Sequence, residues 1–233
     1  MSNYEIALEY ANCVLHIFDK LVPILYGSSA IGVNGNDLDM CFISNNDLTK
    51  EQLSELIKIT KYYHYKYNLK IDEEVPYENK LIYTMDFIND TFNKSPFPFI
   101  NGKYIIPKII KSQEFLSSTD MKKRLLLNIL TTNHIVTSND FDLINNYSKE
   151  AMQLMIKTLI SYGELIEFSF EDLYDVFIKD PYSKLEGEWY LGYKTNHIEK
   201  ILYLKKELLD GLNSMIDDNI IDFSNNKYYV KKR

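Results

Sequence analysis

Arginine is nearly absent from this chain. Arg124 and Arg233 are the only two, against 33 acidic residues and a net charge of −7. Proteins that grip long nucleic acids present a basic face, with arginine prominent at the phosphates. Its lack argues against a long RNA or DNA partner and favours a small molecule or a protein. Cysteine is scarce as well. Cys13 and Cys41 fall on a predicted helix and a predicted strand, far apart, which gives neither a disulfide framework nor metal-ligand spacing. They read as buried free thiols in a reducing compartment. His16, His64, His134 and His197 are scattered without ligand spacing and read as structural or surface groups. No stretch of about 18 uninterrupted apolar residues occurs, so no transmembrane helix is expected. The N-terminal MSNYEIALEYANC lacks the basic-then-apolar order of a signal peptide, and the expected location is cytoplasmic and membrane-free.

What is present is an ordinary globular composition: 45% apolar and 25% charged residues over 233 positions. That supports a real core and argues against global disorder. Ile6, Tyr10, Val14, Ile17, Phe18 and Leu21 keep helical period along residues 4–21. Val22 to Tyr26 is a short apolar run ending at Gly27 and predicts a strand. A small-residue turn follows, then Asp37 to Ile43 alternates with Leu38, Met40 and Phe42 on one face, predicting a second strand. Thr49 with Gln52 three residues on is a capping-box pattern opening a helix that Asn68 ends. Leu69, Ile71 and Val75 predict a third strand. Asn101-Gly102 between extended apolar residues is a tight hairpin signal. From about residue 113 the pattern turns helical, with starts expected at Ser117 to Thr119, Ser148, Ser169, and Thr195 or Asn196, and a stop at Gly163. The expected class is therefore α+β: a small mixed β-sheet domain over residues 1–112, followed by an all-helical domain over residues 113–233.

The stretch LYGSSAIGVNGNDLDMCFI, residues 25–43, carries the chemistry. It sets Gly27-Ser28 at the end of one predicted strand and Asp37 and Asp39 at the start of the next. Residues i and i+2 of a strand share a face, with Cα atoms roughly 6–7 Å apart. Two carboxylates so placed repel unless a cation neutralises them, and a pair of Mg²⁺ ions about 4 Å apart, bridged to phosphate oxygens, suits them. Gly27 lets backbone approach phosphate, and the amides of the turn through Ser28 and Ser29 offer an anion nest. A third carboxylate from a neighbouring strand completes such a site. Asp72 in LKIDEEV is the first candidate and Glu74 the second.

An apolar residue, Gly-Ser, a turn, Asp-x-Asp on a strand and a later acid together resemble the DNA polymerase β-like nucleotidyltransferase superfamily, over residues from about 5 to 90. Here these are Tyr26, Gly27, Ser28, Asp37, Asp39 and Asp72. Size and the helical second half resemble the branch that includes the antibiotic-modifying enzymes. That resemblance implies a two-Mg²⁺ enzyme that moves a nucleoside monophosphate from a triphosphate, ATP being the expected donor, to a hydroxyl of a small acceptor. It also implies an acceptor site of the kind shared across a homodimer. A protein-AMPylating enzyme of a toxin-antitoxin pair and an inactive nucleotide-binding protein are the alternatives. The turn after Ser28 is short and neutral, so triphosphate charge falls to metals, backbone amides and a distant lysine. KIIK at 108–111 and KKR at 122–124 are the candidate clusters. Tyr62, Tyr63, Tyr65, Tyr67 and Tyr104 read first as packing residues, and EGEWYLGYK at 186–194 as an acceptor loop or a packed turn.

Overall fold

A computed structural model describes residues 1–32, 36–71, 75–93, 99–100, 103–104, 117–132, 134–137, 140–179 and 198–231. The chain is mixed α and β. Helix α1 (Asn3–Ile17) starts at a capping box in which Ser2 and Glu5 satisfy each other's backbone. β1 (Val22–Tyr26) and β2 (Met40–Ser44) pair antiparallel, Ile24 opposite Cys41. α2 (Lys50–Lys66) opens at the expected Thr49–Gln52 box and ends before Asn68, which takes a positive φ of 52°. α3 (Tyr77–Lys80) leads into β3 (Ile82–Thr84), parallel to β2, and α4 (Met85–Asn93) follows. β4 (Phe99–Ile100) and β5 (Lys103–Tyr104) pair across the predicted Asn101-Gly102 turn, whose two residues lie outside the described ones. The second half holds α5 (Thr119–Thr131), β6 (His134–Val136), α6 (Phe141–Tyr162), β7 (Glu167–Phe168), α7 (Phe170–Lys179), α8 (Ile198–Asp217), β8 (Ile221–Ser224) and β9 (Lys227–Val230).

Three expectations are corrected by backbone bonding. The second strand starts at Met40 rather than Asp37. Before that point the carbonyls of Asn36 and Asp37 accept from Lys70 N–H at 2.5 Å and from the Asn3 side chain at 3.0 Å, so no ladder extends to them. The third strand is Ile82–Thr84, not the stretch around Leu69. Leu69 N–H returns 2.8 Å to the His64 carbonyl and closes the end of α2, so its alternation with Ile71 belongs to a helix cap. The second half is not all-helical. β6 pairs antiparallel with β1, giving the sheet order β3-β2-β1-β6, and β7-β9-β8 form a second sheet. Hydrogen bonding thus crosses the boundary expected at 112/113. The β8–β9 hairpin turns on Asn225 and Asn226, both at positive φ, as a two-residue turn with right-handed strand twist demands.

The four-stranded sheet has two apolar faces. Leu25, Leu38, Met40 and Phe42 pack with Ile6, Tyr10 and Val14 of α1 and Leu56 and Tyr63 of α2. Val22, Ile24, Cys41, Ile43 and Val136 face the other way, onto α5 and α6, in a core that runs on to α8 and the second sheet. The buried Tyr10 hydroxyl is 2.6 Å from that of Thr60, which donates to the Leu56 carbonyl.

α8 crosses α6 at Gly211, where an added Cβ would stand 2.5 Å from Met152 Cγ and 2.6 Å from Ile156 Cδ1. Gly211→Val should therefore force the two helices apart and lower stability by about 1–3 kcal/mol, read as a lower midpoint in a denaturant melt. An unchanged midpoint would show that the crossing has slack.

Candidate functional site

Beyond the Leu25–Met40 pair the register continues by one: Tyr26 N–H donates to the Asp39 carbonyl at 2.9 Å. Residues opposite one another in an antiparallel pair share a face. Tyr26 also stands opposite His134 of β6. Asp39, Tyr26 and His134 thus form one row across the sheet, on the face of Ile24 and Cys41 that looks toward α5 and α6. The expected two-residue period survives past the strand's end, since Leu38 and Met40 are buried in the α1–α2 core while Asp37 and Asp39 are half-buried.

Gly27 ends β1 with φ +70° and opens a single 3₁₀ turn, Gly27–Ile31. The carboxylate of Asp39 lies directly against it: a Cβ on Gly27 would be 2.3 Å from Asp39 Oδ2. Ser28 belongs to the turn. Ser29 lies beneath it, 4% exposed, where Asn3 Nδ2 donates to its hydroxyl at 2.9 Å and to the Asp37 carbonyl at 3.0 Å. The Ser29 hydroxyl is thereby engaged in holding the turn. Asn3, itself 5% exposed, ties α1 to both the Gly-Ser turn and the acidic segment. Sequence reading passed over it, because a lone asparagine in a first helical turn carries no signal at a distance.

Asn3→Ala removes the donor and leaves the Ser29 hydroxyl and the Asp37 carbonyl to be satisfied otherwise. A stability loss of about 1–3 kcal/mol is expected, measurable by urea melts. Asn3→Asp should restore the shape and not the stability, since a carboxylate cannot donate to a carbonyl.

Asp37 and Asp39 line one narrow cleft of about 30 Å³, the share of a single water, together with Tyr26, His64, Lys70 and Lys80. Its wall includes Met40 and Leu81, beside the point where β3 joins β2 opposite Phe42. Lys70 and Lys80 bring positive charge to the acids, a role expected of more distant lysines. Of those, 108–111 lie outside the described residues. Lys123 is 8% exposed and bonds Asp90 at 2.6 Å, and Arg124 is buried. Lys122 lies over the rings of Tyr83 and Phe87, and burial pulls its pKa down. Asp72, Glu74 and the segment 186–194 also fall outside the described residues. Among the described residues, no three His, Cys, Asp or Glu side chains are grouped closely enough to hold a metal ion.

Of the tyrosines of α2, Tyr63 packs in the core as expected, whereas Tyr62 and Tyr65 are exposed. Tyr63 is buried against Tyr10, while Tyr67 and Lys66 bond Glu9 of α1, with Lys66 over the Tyr67 ring. His64, buried, joins the cleft wall with Nδ1 2.9 Å from the Thr60 carbonyl.

Burial lowers the pKa of His134 below its ordinary 6.5, against the raising effect of the Thr132 and Ile129 carbonyls. The unfolded chain therefore binds a proton that the folded one refuses. Stability is full above about pH 6.5 and is lost as pH falls toward the depressed folded value. His134→Gln should flatten that part of the pH–stability curve in chemical melts.

No family model, no curated protein and no solved structure matches the chain. Its chemistry therefore rests on the residues themselves. Two carboxylates are hard oxygen donors of the type Mg²⁺ takes. The Gly27 cradle, which a Cβ would fill, keeps that of Asp39 at the turn. Asp37 and Asp39 could supply two of the oxygen ligands of a magnesium ion, and no third His, Cys, Asp or Glu joins them among the described residues. No helix among the described residues is long and apolar enough to cross a membrane.

Proposed function

We propose that this chain is a Mg²⁺-dependent nucleotidyltransferase that moves a nucleoside monophosphate from a nucleoside triphosphate, ATP first, to a hydroxyl of a small acceptor. The observation that carries the reading is the contact of the Asp39 carboxylate with the Gly27 backbone, at the point where β1 hands over to the 3₁₀ turn. A turn without side-chain bulk beside paired acids is what a metal-bound phosphate requires.

Asp37 and Asp39 would hold the magnesium, which supplies charge neutralisation for the phosphates and a lowered barrier to in-line displacement. The Gly27-Ser28 backbone admits phosphate at close range. Lys70 and Lys80, in the same cleft wall, offset triphosphate charge that the neutral turn leaves uncompensated. Tyr26, opposite Asp39 across the β1–β2 pair, offers an aromatic surface in the same cleft. Asp72, or Glu74, completes the carboxylate set in this reading.

The test is calorimetric titration of the full chain with each nucleoside triphosphate, with and without Mg²⁺, followed by a pyrophosphate-release assay on fractionated cell extract. Metal-dependent binding of one triphosphate and release with one acceptor fraction are expected. Binding that is indifferent to Mg²⁺ would dismiss the enzyme and leave a nucleotide-binding protein.

A further inference from the structure

His134 and Ser148 form a hydrogen-bonded pair that the reading above leaves unused. Ser148 sits on the buried stripe of α6, one turn from Ile144 and from Met152. Its Oγ is 3.2 Å from His134 Nε2. Nδ1 of the same ring is 2.9 Å from the Thr132 carbonyl. A carbonyl only accepts, so Nδ1 carries the hydrogen. In the neutral ring Nε2 then offers a lone pair, and Ser148 donates to it. Hydroxyl, base and orienting acceptor stand in series, the arrangement that activates a serine. Burial favours the neutral ring. Both residues are half-buried rather than sealed.

Position links the pair to the site. His134 is the far member of the row that begins at Asp39 and passes through Tyr26. Two inter-strand spacings, roughly 10 Å, separate the ends of that row. Tyr26 is the sole side chain between them on it.

Resting on the nucleotidyltransferase reading, we infer that Ser148 is an acceptor hydroxyl carried by the chain itself, with His134 as its base, so that the protein nucleotidylates Ser148. The Ser148 oxygen bonds to the α-phosphorus of the triphosphate, and its proton passes to His134 Nε2. The bond from the α-phosphorus to the oxygen bridging to the β-phosphate breaks, and pyrophosphate leaves with that electron pair. No redox partner is needed.

Two measurements on the full chain test this. The first incubates it with Mg²⁺ and each α-labelled triphosphate and maps the label by peptide mass spectrometry. The expected result is one nucleoside monophosphate on Ser148, absent in Ser148→Ala and formed about a hundredfold more slowly in His134→Gln. The second uses no metal and no nucleotide: diisopropyl fluorophosphate should phosphorylate Ser148, fluoride leaving, and His134→Gln should abolish this while remaining folded by circular dichroism. A chain that binds Mg²⁺-triphosphate but leaves Ser148 unmodified by both reagents overturns the inference and spares the nucleotidyltransferase reading. Label on another residue has the same meaning. Fluorophosphate labelling without any Mg²⁺-dependent triphosphate binding removes that reading, and the acceptor role of Ser148 with it.

Discussion

Gly27→Ala is expected to lower stability by about 2–4 kcal/mol and to abolish Mg²⁺-dependent nucleotide binding. Two penalties combine. The left-handed backbone at φ +70° costs a residue with a Cβ roughly 1–2 kcal/mol. The new methyl would also stand 2.3 Å from Asp39 Oδ2, closer than any real contact, and overpacking of that kind costs about 1–3 kcal/mol. Relief can come only from rotating the Asp39 carboxylate away or opening the β1–turn junction, and either moves the acid from the place where, in the proposed function, it would meet a phosphate. For a chain of this length the loss corresponds to a fall in Tm of roughly 5–15 °C. The melt should be run with and without Mg²⁺. A variant as stable as the parent, and equally responsive to the metal, would show that Asp39 does not need this contact.

The legible part of the fold was the part written in local chemistry. The Thr49–Gln52 box and the run from Val22 to Tyr26 are each specified by neighbours in sequence, and each is where it was expected; Phe99–Ile100 and Lys103–Tyr104 pair on either side of the expected turn. The alternation through Leu38, Met40 and Phe42 matches their shared burial against α1 and α2, although the strand itself starts later. The misplaced elements share a cause. Leu69 and Ile71 alternate like a strand, yet the Leu69 amide is claimed by the end of α2, and a two-residue alternation cannot distinguish a cap from a ladder. β6 is three residues long, too short to show a period, and its place beside β1 is set by pairing across more than a hundred residues. Ile198–Asp217 was legible as a helix, but the close crossing at Gly211 was not, because only the packed partner reveals why glycine sits there.

The site divides along the same line. Gly27, Asp37 and Asp39 are near in sequence, so their grouping was legible there. Asn3, Lys70 and Lys80 come from three other segments and meet the acids only through folding. His134 carried no signal, since one histidine without ligand spacing is most often structural. What distinguishes it is the row with Tyr26 and Asp39.

Asp37→Asn/Asp39→Asn should separate function from folding more cleanly than any change at Gly27. Without metal, the mutual repulsion of the two carboxylates is offset by Lys70 and Lys80 in the same cleft, so neutralising the acids should change the melt little. With metal the two chains should differ. A ligand that binds only the folded wild type stabilises it by RT ln(1 + [L]/Kd), about 2.7 kcal/mol at a hundred times Kd. Saturating Mg²⁺ and triphosphate should therefore raise the Tm of the wild type and leave that of the double variant where it was. The comparison also distinguishes this pair from Lys70→Ala/Lys80→Ala, in which the response to Mg²⁺ should persist while that to triphosphate weakens. If wild type and the carboxamide variant respond alike to metal and nucleotide together, the acids are turn residues and no phosphate chemistry takes place beside Gly27.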